Sequence, residues 1–306
     1  MTDQISLDGR IAIVTGAGRG LGRAHALLLA ERGAAVLVND LGTDLDGTSD
    51  DDTPAREVVE EIHTRGGRAA ADRSDVSTPD GARAMIERAL EEFGRVDILV
   101  NNAGVHLDRP FPSTSFADFE RLWRVNVGGH INTTHAVWPL MVERGYGRIV
   151  CTESAAGMYG LPGQTAYAAT KGAVHGLMRS LALEGAPRGV LVNAIAPGAY
   201  TRMMEAGVPD PAMREQMRAT MPAELVSPVV AWLASERCTS AGEVFTVWGG
   251  RVARVALGAH LGHVNPALTP EDLVEHADAV NAPGLSHEPL HAFDEVQHWS
   301  AAVFSA

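Results

Sequence analysis

The sequence predicts an α/β protein with a doubly wound parallel sheet of about seven strands. Short apolar runs of strand length alternate with helix-favouring segments over residues 10–250. Few hairpin signals separate them, so neighbouring strands need helical crossovers and pair in parallel. The first apolar run leads directly into a glycine-rich turn and a helix, which is the usual start of a nucleotide-binding sheet.

The strands are predicted from apolar runs bounded by turn signals. They lie at residues 10–15, Ala35–Asn39, Arg68–Asp72, 96–100, Gly147–Thr152, 190–195 and 243–247. Helices are predicted at residues 23–32, 54–65, Pro79–Phe93, 115–143, 167–184 and 222–233. Thr53 and Ser115 are suitable N-caps, and Pro54 fits a first helical turn. Asn126 is a poor helix former followed by two glycines, which predicts a local kink or a buried polar role.

The glycine-rich turn runs from Gly16 to Gly22 in the pattern Thr-Gly-x-x-x-Gly-x-Gly. Glycines let the backbone approach a pyrophosphate, and the following helix N-terminus supplies free amides and a partial positive charge. The spacing differs from the general G-x-G-x-x-G pattern, and a plain tight turn is the alternative. The loop residues assigned to cofactor binding are Gly16, Arg19, Gly20, Leu21 and Gly22.

Asp40 ends the second predicted strand, about 20 positions after the glycine loop. An acidic side chain there accepts hydrogen bonds from the adenosine ribose and repels the 2′-phosphate of NADP. We therefore expect NAD as the cofactor. The loop at residues 41–53 adds negative charge through Asp44, Asp46, Asp50, Asp51 and Asp52. These acids lack a ligand-like pattern, so a solvated loop is favoured over a metal site.

Two further strand ends are expected to line the cofactor site. Asp75 follows the third strand, where it can accept from the adenine amino group while Val76 packs on the ring. Capping of the next helix is the alternative for this region. Asn102, Ala103 and Gly104 follow the fourth strand, at the carboxyl edge where open α/β sheets bind ligands.

Tyr167 and Lys171 are four residues apart, so a helix places both side chains on one face. A free phenol has a pKa of about 10, and a neighbouring ammonium is expected to lower the pKa of Tyr167. Alcohol oxidation requires a base poised near the working pH. Ser154 follows the fifth strand, where its hydroxyl is expected to hydrogen-bond the substrate oxygen. Taken alone, this spacing favours a surface Tyr beside a surface Lys.

Composition narrows the class of protein. With 306 residues, 45% hydrophobic and 21% charged, the chain suffices for one globular domain with an appendage. A net charge of −13 argues against nucleic acid as a partner. No apolar run of about 20 residues exists and the start lacks a signal pattern, so we expect no membrane span and a cytoplasmic protein. Cys151 and Cys238 are expected to be reduced, buried thiols.

The character of the sequence changes after residue 250. We expect a dinucleotide-binding and catalytic domain at 1–250, and an extension at 251–306 that packs on the same domain or on a partner subunit. The extension contains His260, His263, His276, His287, His291 and His298. They lack metal-ligand spacing, so no metal site is predicted. Met213, Met217 and Met221 form an apolar helical stripe, interpreted as core packing or as a flexible lid.

Together these motifs resemble the short-chain dehydrogenase/reductase family. The glycine loop, Asn101-Asn-Ala-Gly104, Asn126, Ser154, Tyr167-x-x-x-Lys171 and Pro197-Gly198 follow the family's order over residues 8–250. The resemblance implies a Rossmann fold, NAD as cofactor, a small-molecule substrate, and assembly into homodimers or homotetramers. It implies that Tyr167 is the general base in oxidation, that Lys171 lowers the pKa of Tyr167 and holds the nicotinamide ribose, and that Ser154 steadies the substrate oxygen.

The same resemblance implies roles for four other residues. Asn126 would fix a water on a proton path from Lys171 to solvent, and Thr201 would hold the nicotinamide carboxamide. Pro197 and Gly198 would contact the cofactor. Thr201 falls four residues after Pro197, where many members have five.

A closer resemblance is to the (3R)-hydroxyacyl-CoA dehydrogenase unit of multifunctional β-oxidation enzymes and their bacterial steroid-catabolic relatives. It rests on Val38-Asn-Asp-Leu-Gly42 with the Asp-rich loop, and on Gly242-Glu-Val-Phe with the extension that follows. The implied reaction is hydride transfer between NAD and a secondary alcohol, with a 3-hydroxyacyl-CoA as the expected substrate. A free steroid, terpenoid or other apolar alcohol is the first alternative. A non-catalytic dinucleotide sensor is the second.

Three charged residues bear on the choice of substrate. Arg109 and Arg202 are candidates for contacts with CoA, although ordinary surface arginines are the alternative. Glu153 stands where relatives often carry a small neutral residue. If its carboxylate faced the pocket, an acyl-CoA substrate would be disfavoured.

Overall fold

A computed structural model describes residues 4–43, 53–205 and 208–305. Its centre is one sheet with the strand order β3-β2-β1-β4-β5-β6-β7-β8. The strands are β1 (Ile11–Thr15), β2 (Ala35–Asn39), β3 (Arg68–Asp72), β4 (Ile98–Asn101), β5 (Gly147–Thr152), β6 (Val190–Gly198), β7 (Val244–Trp248) and β8 (Arg251–Val255). Every pairing from β3 to β7 is parallel. The predicted doubly wound sheet is confirmed, and its order reverses between β1 and β4, where such sheets bind ligands.

The central strands are apolar runs because both of their faces are covered. All residues of β1, β2 and β5 are buried. Ile13, Val14 and Val36 have no exposed surface. This burial is typical of parallel strands with helices on both faces of the sheet.

Helices alternate with these strands. Up to β7 they are α1 (Gly20–Glu31), α2 (Thr53–Thr64), α3 (Pro79–Phe93), α4 (Phe116–Leu122), α5 (Gly129–Arg144), α6 (Ala155–Tyr159), α7 (Thr165–Gly185), α8 (Arg202–Glu205), α9 (Pro211–Thr220) and α10 (Ser227–Leu233). Ser115 and Asp118 form a capping box at the start of α4. The kink expected around Asn126 is a π-helical turn, Trp123–Gly128, which separates α4 from α5 and buries Asn126. Such turns often occur at functional sites.

Two local predictions differ from the structure. Residues 222–233 were expected to form one helix, but Ala223–Leu225 is a 3₁₀ turn and α10 begins only at Ser227. Helix α9 has no buried residue in the described structure, and the Met213 side chain is exposed. Core packing is therefore not the role of the methionine stripe along α9.

An eighth strand follows the predicted seven. Gly249 and Gly250 join β7 to β8, with φ angles of 53° and 79°. A two-residue turn with two left-handed residues favours glycine and makes an antiparallel hairpin. The same two glycines had been interpreted as the end of the first domain. The chain divides into two compact units, Met1–Arg254 and Val255–Ala306.

The second unit contains α11 (Pro270–Glu275), α12 (Ala277–Val280) and α13 (Ala292–Ser305). It brings potential metal-ligand atoms of His263, Asp272 and His276 within 4.8 Å of one another, a cluster that the sequence spacing did not predict. The two imidazole rings are stacked with centroids 4.0 Å apart, and both contact the Asp272 carboxylate. These hydrogen bonds explain the cluster without an ion. How the extension packs remains a prediction.

Among the described helices, none combines the length and the apolar composition that crossing a bilayer requires.

Candidate active site

The glycine loop between β1 and α1 leaves no room for side chains at two positions. A Cβ atom on Gly22 would lie 2.2 Å from the Gly16 carbonyl oxygen, and one on Gly16 would lie 2.9 Å from the Ala103 Cα. Gly16 and Gly20 also have positive φ angles, of 61° and 54°. The backbone can turn this tightly into a helix N-terminus only with glycine at these positions, which is the geometry of an anion-binding loop.

Asp40 closes the glycine loop from the end of β2. Its Oδ2 accepts a hydrogen bond from the Gly18 backbone N–H at 2.7 Å, and its Oδ1 accepts one from Gly42 at 2.8 Å. An ionised carboxylate has further lone pairs, so ribose hydroxyls can still donate to it. The other acids of the predicted negative loop, Asp44, Asp46, Asp50, Asp51 and Asp52, lie outside the described residues.

The Asn102 segment is fastened to the same loop. The Asn102 amide donates to the backbone oxygens of Thr15 and Gly16 at 2.8 and 3.1 Å. The Thr15 hydroxyl accepts from the backbone N–H groups of Asn102 and Ala103, both at 3.0 Å. Hydrogen bonds thus join the ends of β1 and β4 at the point where the sheet order reverses.

Other predicted cofactor residues lie around this cleft. A Cβ on Gly20 would lie 3.5 Å from the Thr201 methyl group, so Thr201 reaches the glycine loop. Pro197 and Gly198 are the last two residues of β6 and pair with β7, so that strand extends three residues beyond its predicted end at 195. Arg19 and Leu21 flank Gly20 at the start of α1.

Val76 is buried, but the Asp75 side chain is already engaged. Its Oδ1 accepts from the Ser77 backbone N–H at 2.9 Å, and its backbone oxygen accepts from the Thr78 hydroxyl. Thr78 is the N-cap of α3. Asp75 thus belongs to the turn that precedes the α3 cap, and because its carboxylate keeps further lone pairs, its contact with adenine stays a prediction.

Ser154, Tyr167 and Lys171 meet at the carboxyl edge of β5. Ser154 is the N-cap of α6, and its hydroxyl accepts from the Ala156 backbone N–H at 3.2 Å. Burial raises the pKa of Tyr167 to about 12, and a hydrogen bond with the Ser154 side chain opposes that rise. The serine hydroxyl and the phenol are therefore neighbours, as their positions in the sequence predicted.

Lys171 does not lower the pKa of Tyr167 in this structure, contrary to the sequence-based expectation. Its Nζ donates to the Thr152 backbone oxygen at 2.7 Å and lies 5.6 Å from the centre of the Tyr167 ring. Burial lowers the pKa of Lys171 to about 8, against the raising effect of Glu153. An ammonium directed at a carbonyl oxygen stabilises a phenolate less than one directed at the phenol oxygen would.

Asn126 has side-chain partners that fix its position. Its Oδ1 accepts from the Val105 backbone N–H at 2.8 Å. Its Nδ2 donates to the Val105 oxygen and to the Thr170 hydroxyl, both at 3.0 Å. The π-helical turn buries this amide between the segment after Gly104 and α7, and its part in a proton path stays a prediction.

A family model described as short chain dehydrogenase matches residues 10–211, from β1 to the start of α9. That span includes the glycine loop, Asp40 and the Ser154, Tyr167 and Lys171 cluster. The chain belongs to the short-chain dehydrogenase/reductase family. As a member of this family it is an oxidoreductase.

Similar proteins support a narrower grouping within this family. The chain is 41% identical over 275 residues to the peroxisomal multifunctional enzyme type 2 of Mus musculus, covering 89% of this chain and 36% of that protein. It is 45% identical over 248 residues to a putative short-chain type dehydrogenase/reductase of Mycobacterium tuberculosis, covering 81% and 85% respectively. The dehydrogenase thus spans about a third of the mouse enzyme, as the closer resemblance predicted.

Solved structures agree with this grouping. A short chain dehydrogenase from Mycobacterium avium has a TM-score of 0.78 and 38% identity, covering 91% of this chain and 98% of that chain. The full-length peroxisomal multifunctional enzyme type 2 from Drosophila melanogaster has a TM-score of 0.77 and 32% identity, covering 98% and 50%. A 7α-hydroxysteroid dehydrogenase complexed with NADH and 7-oxo glycochenodeoxycholic acid has a TM-score of 0.72 and 33% identity, covering 80% and 95%.

The cleft of this dehydrogenase fits a nicotinamide dinucleotide. A Cβ on Gly18 would lie 2.8 Å from the Asp40 Oδ2 and 2.6 Å from the Pro54 Cβ, so only glycine leaves the carboxylate in place. A Cβ on Gly104 would lie 3.8 Å from the Lys171 Nζ, so the segment after β4 reaches Lys171. Gly18 is the one loop glycine that sequence reasoning did not select, because it lies off the family spacing.

Three residues beside the phenol were also missed. The His106 ring packs edge-on against Tyr167 with centroids 4.5 Å apart. Asp108 lies 3.0 Å from His106 Nε2 and accepts from the Gln164 amide at 2.6 Å. His106 Nδ1 is buried without a partner in the described structure. Their separation in sequence, across the loop after β4 and the start of α7, left no spacing signal.

The charged residues considered for substrate choice are placed as follows. The Glu153 side chain is 1% exposed and contacts His175 of α7, so it does not line the open cleft. Arg109 pairs with Asp118 at 2.7 Å, which matches the surface alternative. The Arg202 side chain is outside the described part of the structure.

Proposed function

We propose that this dehydrogenase oxidises a secondary alcohol with NAD, and that its substrate is a 3-hydroxyacyl-CoA. One observation carries the proposal: the Ser154 and Tyr167 hydroxyls are adjacent at the same sheet edge as the glycine loop that Asp40 closes. An acid/base pair beside a dinucleotide cradle is the arrangement that alcohol oxidation requires.

The chain's residues handle the proton. Tyr167 removes the hydroxyl proton of the substrate while Ser154 donates a hydrogen bond to the same oxygen. Lys171 supplies positive charge behind the phenol, where it stabilises the phenolate that begins the reaction. NAD, when bound, accepts the hydride from the carbinol carbon, which becomes a carbonyl carbon.

The choice of NAD rests on Asp40. Its carboxylate lies against Gly18 at the place where an adenosine ribose approaches the loop. A 2′-phosphate there would meet a like charge at short range, and the whole chain carries a net charge of −13.

The substrate class rests on the relatives. The mouse protein is named a peroxisomal multifunctional enzyme, and a further relative, 37% identical over 252 residues, is a 3-oxoacyl-[acyl-carrier-protein] reductase. The substrate in that second name is an acyl thioester that carries an oxygen on its third carbon. A free steroid is the second candidate, favoured by the 33% identity to the 7α-hydroxysteroid dehydrogenase.

A paired assay separates these candidates. The purified chain is given NAD with a (3R)-3-hydroxyacyl-CoA, with the matching free 3-hydroxy acid, and with a hydroxysteroid. We expect kcat/KM to be at least about tenfold higher for the thioester, the discrimination that one lost polar anchor produces. A higher kcat/KM for the steroid would show that the substrate is a steroid and not a thioester. Failure to form NADH from any of these alcohols would overturn the proposed function.

We also propose a homo-oligomer built on the long helices. Phe116, Trp123 and Ile131 along α4, the π-helical turn and α5 are 90%, 52% and 45% exposed. Large apolar side chains left exposed on a surface are candidates for an interaction site. Light scattering at micromolar concentration should give a dimer or tetramer mass, and a monomer mass would contradict the proposal.

A further inference from the structure

The end of β5 runs along one face of α7 and makes three successive contacts with it. Residues Tyr167, Lys171 and His175 are spaced by four and lie on that face. Tyr167 contacts Ser154, Lys171 donates to the Thr152 backbone oxygen at 2.7 Å, and His175 Nδ1 lies 3.3 Å from the Glu153 Oε2. Only the third of these contacts has no part in the proposed reaction.

Glu153 is an acidic residue in a buried position. Its side chain is 1% exposed, and its Oε1 is buried without a hydrogen-bond partner in the described structure. A buried carboxylate is costly unless a counter-charge or several donors stabilise it. His175 supplies one donor at Oε2, since a carboxylate can only accept. A second stabilising charge is therefore expected nearby.

Lys171 is the available cation. It is 3% exposed and is the only lysine in the chain, because the other 24 basic residues are arginines. Arginine stays charged in every environment, whereas burial can neutralise a lysine. A lysine here needs a neighbouring anion to stay charged, and no direct salt bridge to it occurs among the described residues.

We infer that Glu153, held by His175, is a positioning residue that keeps Lys171 in its cationic form behind Tyr167. The carboxylate acts through space from the residue next to Thr152, whose carbonyl fixes the Lys171 Nζ. No proton passes through Glu153 in this account.

Three other titratable groups around Lys171 are neutral near pH 7. Burial raises the pKa of Cys151 on β5 to about 12 and lowers the pKa of His130 on α5 to about 3. Burial likewise raises the pKa of Tyr167 to about 12. His175 touches Glu153, and Asp108 acts on Tyr167. The anion that raises the pKa of Lys171 is therefore Glu153.

The single lysine allows a direct test without substrate or cofactor. The full chain is labelled with ¹³C-lysine, and the Lys171 Cε resonance is followed against pH by NMR. Variants are E153Q, which removes the charge; E153D, which keeps it; and E184Q, the same chemical change at an exposed site on α7. E153M, an apolar side chain of similar length, replaces E153Q if the latter does not fold.

We expect the titration midpoint of Lys171 to fall in E153Q and E153M. The protonated fraction at pH 8 should drop roughly fivefold, within the range that one buried counter-charge produces. The Lys171 midpoint in E184Q should equal that of the unmodified chain, and the midpoint in E153D should lie closer to that of the unmodified chain than to that of E153Q. An E153Q or E153M midpoint equal to that of E184Q would overturn the inference.

The kinetic consequence rests on the proposed function. If Lys171 must be charged for turnover, the alkaline limb of the kcat profile should move to lower pH in E153Q but not in E184Q. The two hypotheses fail separately. If the chain oxidises no alcohol but the Lys171 midpoint shifts in E153Q, only the proposed function is rejected. If the chain oxidises the alcohol but the midpoint does not shift in E153Q, only the role of Glu153 is rejected.

Discussion

The Asp40 carboxylate accepts a hydrogen bond from the Gly18 backbone N–H at 2.7 Å. This contact joins the end of β2 to the glycine loop and fixes a negative charge where the cofactor ribose is expected. Replacing Asp40 with Ala removes both the charge and the acceptor. We predict that kcat/KM for NAD falls at least about tenfold, the loss expected for a charged hydrogen-bond acceptor, while kcat/KM for NADP rises.

The matched control for that variant is Asp80→Ala, an exposed aspartate in the first turn of α3. It should leave both cofactor constants unchanged. Retention of the full NAD preference in Asp40→Ala would show that Asp40 does not select the cofactor.

Asp108 is expected to hold Tyr167 in its protonated form. Burial is the main cause of the raised pKa of Tyr167, and the Asp108 charge raises it further. In Asp108→Asn the pKa of Tyr167 should fall, so the acid limb of the oxidation profile should move to lower pH. Because Asp108 is half exposed, the gain in kcat/KM at pH 7 should be only about twofold. The gain should shrink in 1 M salt, and its persistence there would exclude a direct charge effect.

Gly157 allows α6 to cross α7 at Lys171. A Cβ at this position would lie 2.7 Å from the Lys171 Cβ and carbonyl carbon and 2.8 Å from the Gly172 nitrogen. These are mostly backbone atoms that cannot rotate away, so Gly157→Ala should destabilise the fold by about 1–3 kcal/mol and lower kcat. Urea unfolding and steady-state kinetics measure the two effects.

Gly176 provides the control on the same helix. No atom lies within 4 Å of a Cβ built there. Gly176→Ala should therefore raise the free energy of unfolding by up to about 1 kcal/mol, as in any open helical position, with kcat unchanged. Equal effects of the two substitutions would refute the steric explanation.

Two buried histidines predict acid sensitivity. Burial lowers the pKa of both His25 and His130 from 6.5 to about 3. Between those values the unfolded chain binds more protons than the folded one, so stability is complete above pH 6.5 and is lost as the pH falls towards 3. Each group contributes a slope of about 1.4 kcal/mol per pH unit. Urea unfolding between pH 4 and 6 should show this slope reduced by one such unit in His130→Gln, and an unchanged slope would contradict it.

Much of the fold could be predicted from the sequence because strands and helices here follow local rules. Apolar runs flanked by turn residues located the seven strands near their observed positions, and the β1 run followed by glycines indicated the cofactor loop. The family was confirmed by the match over residues 10–211. Asn126 and the two glycines that follow it predicted an irregularity where the π-helical turn lies, because weak helix formers tolerate a break in the regular backbone hydrogen bonds of a helix.

What could not be predicted depends on contacts between distant segments. His106 packs on the phenol ring and contacts Asp108 and Gln164, which lie in two separate segments, and no periodicity joins the three. The pKa of Tyr167 was expected to fall because the four-residue spacing places Lys171 on the same face of the helix. The structure shows that burial decides the direction, and that the Lys171 Nζ is directed at the Thr152 oxygen. Burial and side-chain direction are tertiary properties.

The account depends most on Tyr167 as the group that takes the substrate proton. Turnover of a (3R)-3-hydroxyacyl-CoA with NAD should be compared between the unmodified chain and Tyr167→Phe, with NADH affinity measured on both by fluorescence titration. We predict a loss in kcat of at least about a hundredfold, the contribution of one positioned acid/base group, with NADH affinity within about twofold. Unchanged kcat in Tyr167→Phe would contradict the mechanism.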